Sequence, residues 1–244
     1  MIRVKLIIQY DGANYNGWQR QKHEHNTIQE IIENAIYEAL HERVTLEASG
    51  RTDAGVSAFA QVAHFDTVTR LPIDRLPYML KFRLPSDISV LSAVVVPNEF
   101  HSRFDAKRKT YLYRMYTSDL PLPLYKNRMH INHALDIEAM REACKEFVGV
   151  HDFTSFTRAE SVKDDCKRTI FDCRLEVKDN FIDVFVTGSG FLHNMVRIIV
   201  GTLLAVGEGK IPPKQIQDIL KAKDRTKAFM TLPPYYLYLC KVEY

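Results

Sequence analysis

The sequence predicts an α+β protein of two lobes that share a continuous or abutting sheet, with a cleft between them. Three observations point there. Runs alternating with period 2 and runs with helical spacing occur in both halves of the chain. No stretch is Gly/Ser-rich enough to be a free linker, so the halves should abut, with the break near residues 97–105. The 244 residues are 46% hydrophobic and 26% charged, which is globular composition with apolar surface for one large core or two small ones. The expected boundaries are 1–100 and 101–244.

The elements follow in order. Residues 3–10, RVKLIIQY, alternate as a strand until Asp11-Gly12 breaks the pattern. Ile28, Ile31, Ile32, Ala35, Ile36, Ala39 and Leu40 recur at helical spacing, and Thr27 with Glu30 has the form of a capping box. Strands are expected at 45–49, 59–65 and 88–96, with a helix over 73–83 that Pro77 weakens. In the second half, 109–116 alternates as a strand and 136–148 is helical. Residues 168–177 and 181–187 form a hairpin around Asp179-Asn180, and Gly190–Val206 reads as a long apolar helix. A short helix after Pro212 and a strand at 236–242 complete the chain.

Composition excludes several classes. The 33 basic residues against 30 acidic ones leave a net charge of +3, which alone says little about partners. The longest apolar run, 195–206, is interrupted by Arg197 and Thr202 and is too short to span a bilayer. No signal segment opens the chain, and the four cysteines lack C-x-x-C spacing, so reduced cytoplasmic thiols are expected. No metal site is expected, because the nine histidines lack H-x-x-x-H or H-E-x-x-H spacing. Neither a Walker loop nor a G-x-S-x-G elbow is present.

Three segments carry candidate chemistry. In Ser49-Gly50-Arg51-Thr52-Asp53-Ala54-Gly55-Val56, two glycines bracket an Arg and an Asp. An Asp held there beside an Arg stays ionised and suits a nucleophile; a plain turn is the commoner use of such residues. Arg197 interrupts an apolar run, so its guanidinium needs an anionic partner or an outlet to the surface. It lies four residues from His193, on one face if both are helical. The segment 103–116 interleaves five basic residues with aromatics, a combination that neutralises phosphates and stacks on unpaired bases. Tyr111 and Tyr113 should share one strand face there; a solvated basic edge with core tyrosines is the alternative.

Together these segments resemble the tRNA pseudouridine synthase A family over nearly the whole chain. The matching pieces are YDG-x-x-Y-x-GWQRQ (10–21), SGRTDAGV (49–56), QVAHF (61–65), LPSDI-x-V (84–90), FHSRFDA (100–106), Tyr111 with Tyr113, HDFTSF (151–156) and GFLHNMVRIIVG (190–201). The resemblance implies a pseudouridine synthase fold, two α+β lobes around a mixed, mainly antiparallel sheet with a basic cleft between them, and isomerisation of uridine to pseudouridine at tRNA positions 38, 39 and/or 40. It implies no cofactor, no metal and a homodimer binding the tRNA anticodon stem-loop. By resemblance, Asp53 is the catalytic aspartate and Tyr111 packs on the target base. Arg197 pairs with the aspartate, and Arg51 lies beside the flipped nucleotide. The chain departs from the family pattern at Ser57, where a His is usual, at Lys81 in the stretch 80–83, and at Tyr236 in 235–237. These departures suit a divergent paralogue and bear on target choice. A non-catalytic tRNA-binding paralogue is the alternative, against which the intact Arg51, Asp53, Tyr111 and Arg197 stand.

Overall fold

The computed structural model describes residues 1–22, 25–158, 160, 162 and 165–244. It separates into two compact units, Met1–Lys107 with Tyr238–Tyr244, and Arg108–Leu237.

In the first unit, β1 (Ile2–Tyr10) lies antiparallel between β3 (Ser57–Thr67) and β4 (Ile88–Val96). The short β2 (Glu47–Ala48) pairs antiparallel with β3. The C-terminal β10 (Leu237–Glu243) joins β3 in parallel through Tyr238 and Leu239. Alternation in β1 is read out directly: Val4, Leu6, Ile8 and Tyr10 are buried, and Gln9 is exposed. Helix α1 (Ile28–Leu40) buries Ile28, Ile32, Ala35, Ile36 and Ala39. Its expected capping box does not form. Thr27 stands at the N-cap with extended backbone, but its hydroxyl is buried without a hydrogen-bond partner, and Glu30 instead meets His25 Nδ1 at 3.3 Å. The helix start is held by tertiary bonds: Ile28 N–H donates to Gly17 O and Gln29 N–H to Trp18 O.

The helix expected over 73–83 is shorter. A 3-10 turn, Ile73–Arg75, leads into α2 (Leu76–Leu80), where Pro77 sits in the first turn. Proline lacks an N–H and is tolerated only at that end of a helix.

Glu47, His64 and His101 form a polar cluster in this unit, and among the described residues they are the set whose donor atoms lie within 4.8 Å of one another. His101 Nε2 donates to Glu47 at 3.0 Å, while its Nδ1 accepts the N–H groups of Arg103 and Phe104. A ring ligating a metal through Nε2 carries its proton on Nδ1, where these donors already point. The cluster is therefore built for hydrogen bonding. His64 is buried against Ser102, whose hydroxyl lies 2.9 Å from Nδ1 and donates to Glu47 O.

In the second unit, β5 (Arg108–Thr117), β9 (Phe181–Gly188), β8 (Lys167–Lys178) and β7 (Gly149–Asp152) form an antiparallel series, and β6 (Met129–Ile131) pairs with β5 in parallel. The short β6 and β7 have too few residues for a periodic signal. The hairpin turns at Asp179, whose φ of 54° is left-handed. Tyr111, Tyr113 and Met115 pair with Val186, Val184 and Ile182, so the two tyrosines share a face as expected. Helices α3 (Ile137–Lys145) and α4 (Met195–Gly207) pack on each other, and α5 (Gln215–Ala222) follows the two prolines. Asp136 caps α3 by accepting Ala139 N–H at 2.9 Å.

Helix α4 starts five residues later than Gly190. Asn194 adopts φ 62°, which a right-handed helix cannot continue through, so His193 precedes the helix and is not on a helical face with Arg197. Every α4 residue except Arg197 is buried. All four cysteines are free thiols, and the neighbouring Cys144 thiol together with burial holds the Cys173 thiol well above its usual range.

Two outcomes follow. A Cβ at Gly201 would stand 2.1 Å from Met230 O, backbone that cannot swing aside. Gly201→Ala should therefore destabilise by about 1–3 kcal/mol, read as a lowered urea midpoint; an unchanged midpoint would mean that the 229–232 segment yields freely. The second outcome concerns acid. Burial, and next the nearby Arg3 charge, hold the His64 pKa below 6.5. The unfolded chain thus binds a proton that the folded chain resists. The stability contribution is whole above pH 6.5 and is lost as pH falls toward the folded-state value. His64→Gln should flatten the decline in unfolding free energy below pH 6.5, measured by denaturant titration across pH; an equally steep decline would remove His64 from the acid response.

Candidate active site

The loop 49–56 is placed by contacts from distant parts of the first unit. Gly12 and Gly17 lie in the loop after β1, and both let backbone approach backbone. A Cβ at Gly12 would stand 2.0 Å from Val56 O, and one at Gly17, where φ is +83°, would stand 2.8 Å from Thr52 O. In the space so opened, Trp18 N–H donates to Thr52 O at 3.1 Å, and Gly55 N–H to Tyr15 O at 3.2 Å. Val56 N–H closes a turn onto Asp53 O at 3.1 Å. Ser57 accepts Gly12 N–H at 3.0 Å and donates to Asp11 at 3.4 Å.

Side chains from the sheet hold the other end of the loop. Gln61 on β3 is completely buried; its Oε1 accepts from Ser49 Oγ at 2.8 Å and its Nε2 donates to Gly50 O at 2.8 Å. The Tyr10 hydroxyl at the end of β1 lies 2.8 Å from Thr52 Oγ1. Ser49 and Thr52 are buried, Asp53 is half-buried and Arg51 is exposed. The loop thus presents a carboxylate and a guanidinium from a backbone fixed on both sides. Tyr10 and Gln61 belong to the YDG and QVAHF motifs, but sequence reading assigned neither a role. The available signal was a fully polar residue at a buried position of an apolar strand.

Tyr111 and Arg197 belong to the second unit. Tyr111 is 8% exposed, and Phe191 meets it edge to face at 5.1 Å between centroids. Arg197 is half-buried on α4. Its Nε donates to Leu232 O at 2.6 Å and its Nη1 to Asn194 Oδ1 at 2.7 Å. The Tyr113 hydroxyl donates to the next carbonyl, Pro233 O, at 2.9 Å, and burial raises that phenol's pKa strongly. The Tyr236 ring packs edge to face on Tyr113, with centroids 6.3 Å apart. Lys81 is exposed after α2 beside Phe82.

Each unit also carries exposed basic residues beside aromatic rings. Lys107 and Arg108 are exposed; the Arg108 guanidinium lies 4.6 Å above the Phe171 ring, and Arg103 accompanies the exposed Phe104. Among the described residues, no helix is long and apolar enough to cross a membrane.

Comparison with known proteins agrees with the motif order. The tRNA pseudouridine synthase family model matches residues 6–105 and 143–244. The chain is 45% identical to tRNA pseudouridine synthase A of Thermoanaerobacter sp. (strain X514) over 245 aligned residues, covering 100% of both proteins. The enzymes of the same name from Acetivibrio thermocellus and Ehrlichia canis are 45% and 44% identical, again over 100% of each chain. With that coverage, the chain belongs to the tRNA pseudouridine synthase family and is an isomerase acting on tRNA.

Proposed function

We propose that this chain isomerises uridine to pseudouridine at positions 38, 39 and/or 40 of the tRNA anticodon stem-loop, with Asp53 as the nucleophile. The single observation that carries this reading is the Asp53 carboxylate on a loop held from both sides within the SGRTDAGV motif. The reaction breaks the C1′–N1 glycosidic bond, turns the uracil and joins C5 to C1′; the proton leaves C5 and N1 gains one. No group enters or leaves the nucleotide, in keeping with a reaction that takes no cofactor. A carboxylate can attack C1′, add at C6 or remove a ribose proton, and each route needs one ionised, aimed carboxylate.

A base in a stem must first be extruded, at a cost of a few kcal/mol. Stacking on aromatic surface and neutralisation of phosphates by Lys and Arg offset that cost. The roles that the resemblance assigns to Tyr111, Arg51 and Arg197 are part of this reading, as are the homodimer and a cytoplasmic location.

Asp53→Asn should abolish pseudouridine formation while tRNA affinity stays within a few-fold, since the amide keeps the side-chain shape and removes the charge. Wild-type turnover by this variant would sink the assignment. Replacement of Lys107, Arg108 and Lys109 by Ala should lower the salt slope of tRNA binding by about 0.7–0.9 for each phosphate that is no longer neutralised. An unchanged slope would take this strand out of the RNA surface.

A further inference from the structure

We propose that Gln61 and Tyr10 are positioning residues that set the direction of the Asp53 carboxylate; the proposal rests on the reading of Asp53 as the nucleophile. A primary amide in a sheet interior is costly to desolvate unless its groups are hydrogen-bonded. Leu or Met at position 61 would fill the same space without that requirement. Here the amide instead spans the start of the loop, taking the Ser49 hydroxyl on its oxygen and giving its N–H to Gly50 O, both at 2.8 Å. Its nitrogen also lies 3.5 Å from the Tyr10 hydroxyl. That hydroxyl continues the chain to Thr52 Oγ1 at 2.8 Å, one residue before Asp53.

The contacts form one path from β1 and β3 to the residue beside the carboxylate: Ser49 and Gly50 to Gln61, Gln61 to Tyr10, and Tyr10 to Thr52. The backbone on the far side is fixed separately, by Gly55 on Tyr15 and Val56 on Asp53. The Trp18 N–H holds Thr52 O from the other side, so the residue before Asp53 is fixed through both its backbone and its side chain. Burial pushes the Tyr10 pKa up to about 12, so the phenol stays protonated at neutral pH and acts through its hydrogen bonds. Reactions that depend on aim lose about a hundredfold for a displacement near 1 Å.

The test measures single-turnover rate, KM, tRNA affinity and thermal midpoint for Tyr10→Phe, Thr52→Val, their double variant and Gln61→Met, with Asp53→Asn in parallel. Tyr10→Phe and Gln61→Met should each lower the rate about 10–100-fold, with KM and tRNA affinity unchanged. Tyr10→Phe removes one atom and keeps the ring, so it reports even if Gln61→Met folds poorly. The double variant should lose no more than the worse single one, because both remove the same bond. A lowered midpoint with wild-type rate in the folded protein would overturn the proposal, as would strictly additive losses. An inactive Asp53→Asn beside a fully active Tyr10→Phe rejects the positioning role alone. An active Asp53→Asn rejects the nucleophile reading and, with it, this proposal.

Discussion

Close approach of backbone to backbone at Gly12 and Gly17 is the constraint on which the Asp53 loop depends. Asp53 can be presented from a fixed loop because the chain after β1 carries no side chain where Val56 O and Thr52 O come in. Any Cβ at Gly12 would fall within 2.0 Å of a carbonyl oxygen, and that carbonyl belongs to backbone already committed to the turn over Asp53. The same segment then supplies Trp18 and Tyr15 as hydrogen-bonding partners and delivers the chain to α1, whose first amides bond to Gly17 O and Trp18 O. One irregular stretch thus sets both the Asp53 loop and the start of a helix. This explains how α1 begins at Thr27 without a side-chain cap.

The second unit shows the same economy around α4. Its backbone meets Met230 O across Gly201, and Arg197, its one residue outside the core, bonds Leu232 O. Tyr113 on β5 bonds the adjacent Pro233 O. The 230–233 segment is therefore tied to a helix by glycine and arginine and to a strand by a phenol. A guanidinium in a half-buried setting carries a desolvation cost, and here its donors meet a carbonyl and the Asn194 amide oxygen. The left-handed Asn194 that ends any helix upstream is the same residue that takes this bond. A local conformational exception and a charge requirement are met together.

Much of the fold was legible from side-chain periodicity. Strands β1, β4, β5, β8 and β9 and helices α1 and α3 fall where alternation and helical spacing put them, because each has one face that must be buried. The failures have local causes. The capping box fails where Thr27 is buried and Glu30 turns to His25. The helix over 73–83 shrinks around Pro77, and the one from Gly190 waits until after Asn194. These are choices that tertiary contacts make among conformations that the local sequence leaves open.

By itself the sequence determined the family, through eight motifs in order, and the α+β class, through two periodicities that need only neighbours along the chain to be read. It also marked Arg51, Asp53, Tyr111 and Arg197 as the residues worth testing. Only the tertiary structure decided how the Asp53 loop is held. Gly12 meets Val56, far along the chain, Tyr10 meets Thr52 and Gln61 meets Gly50, pairings that no local pattern encodes. The physical reason is that periodicity reports burial, whereas a buried hydrogen bond is defined by the partner, and the partner is chosen when the sheet brings distant segments together.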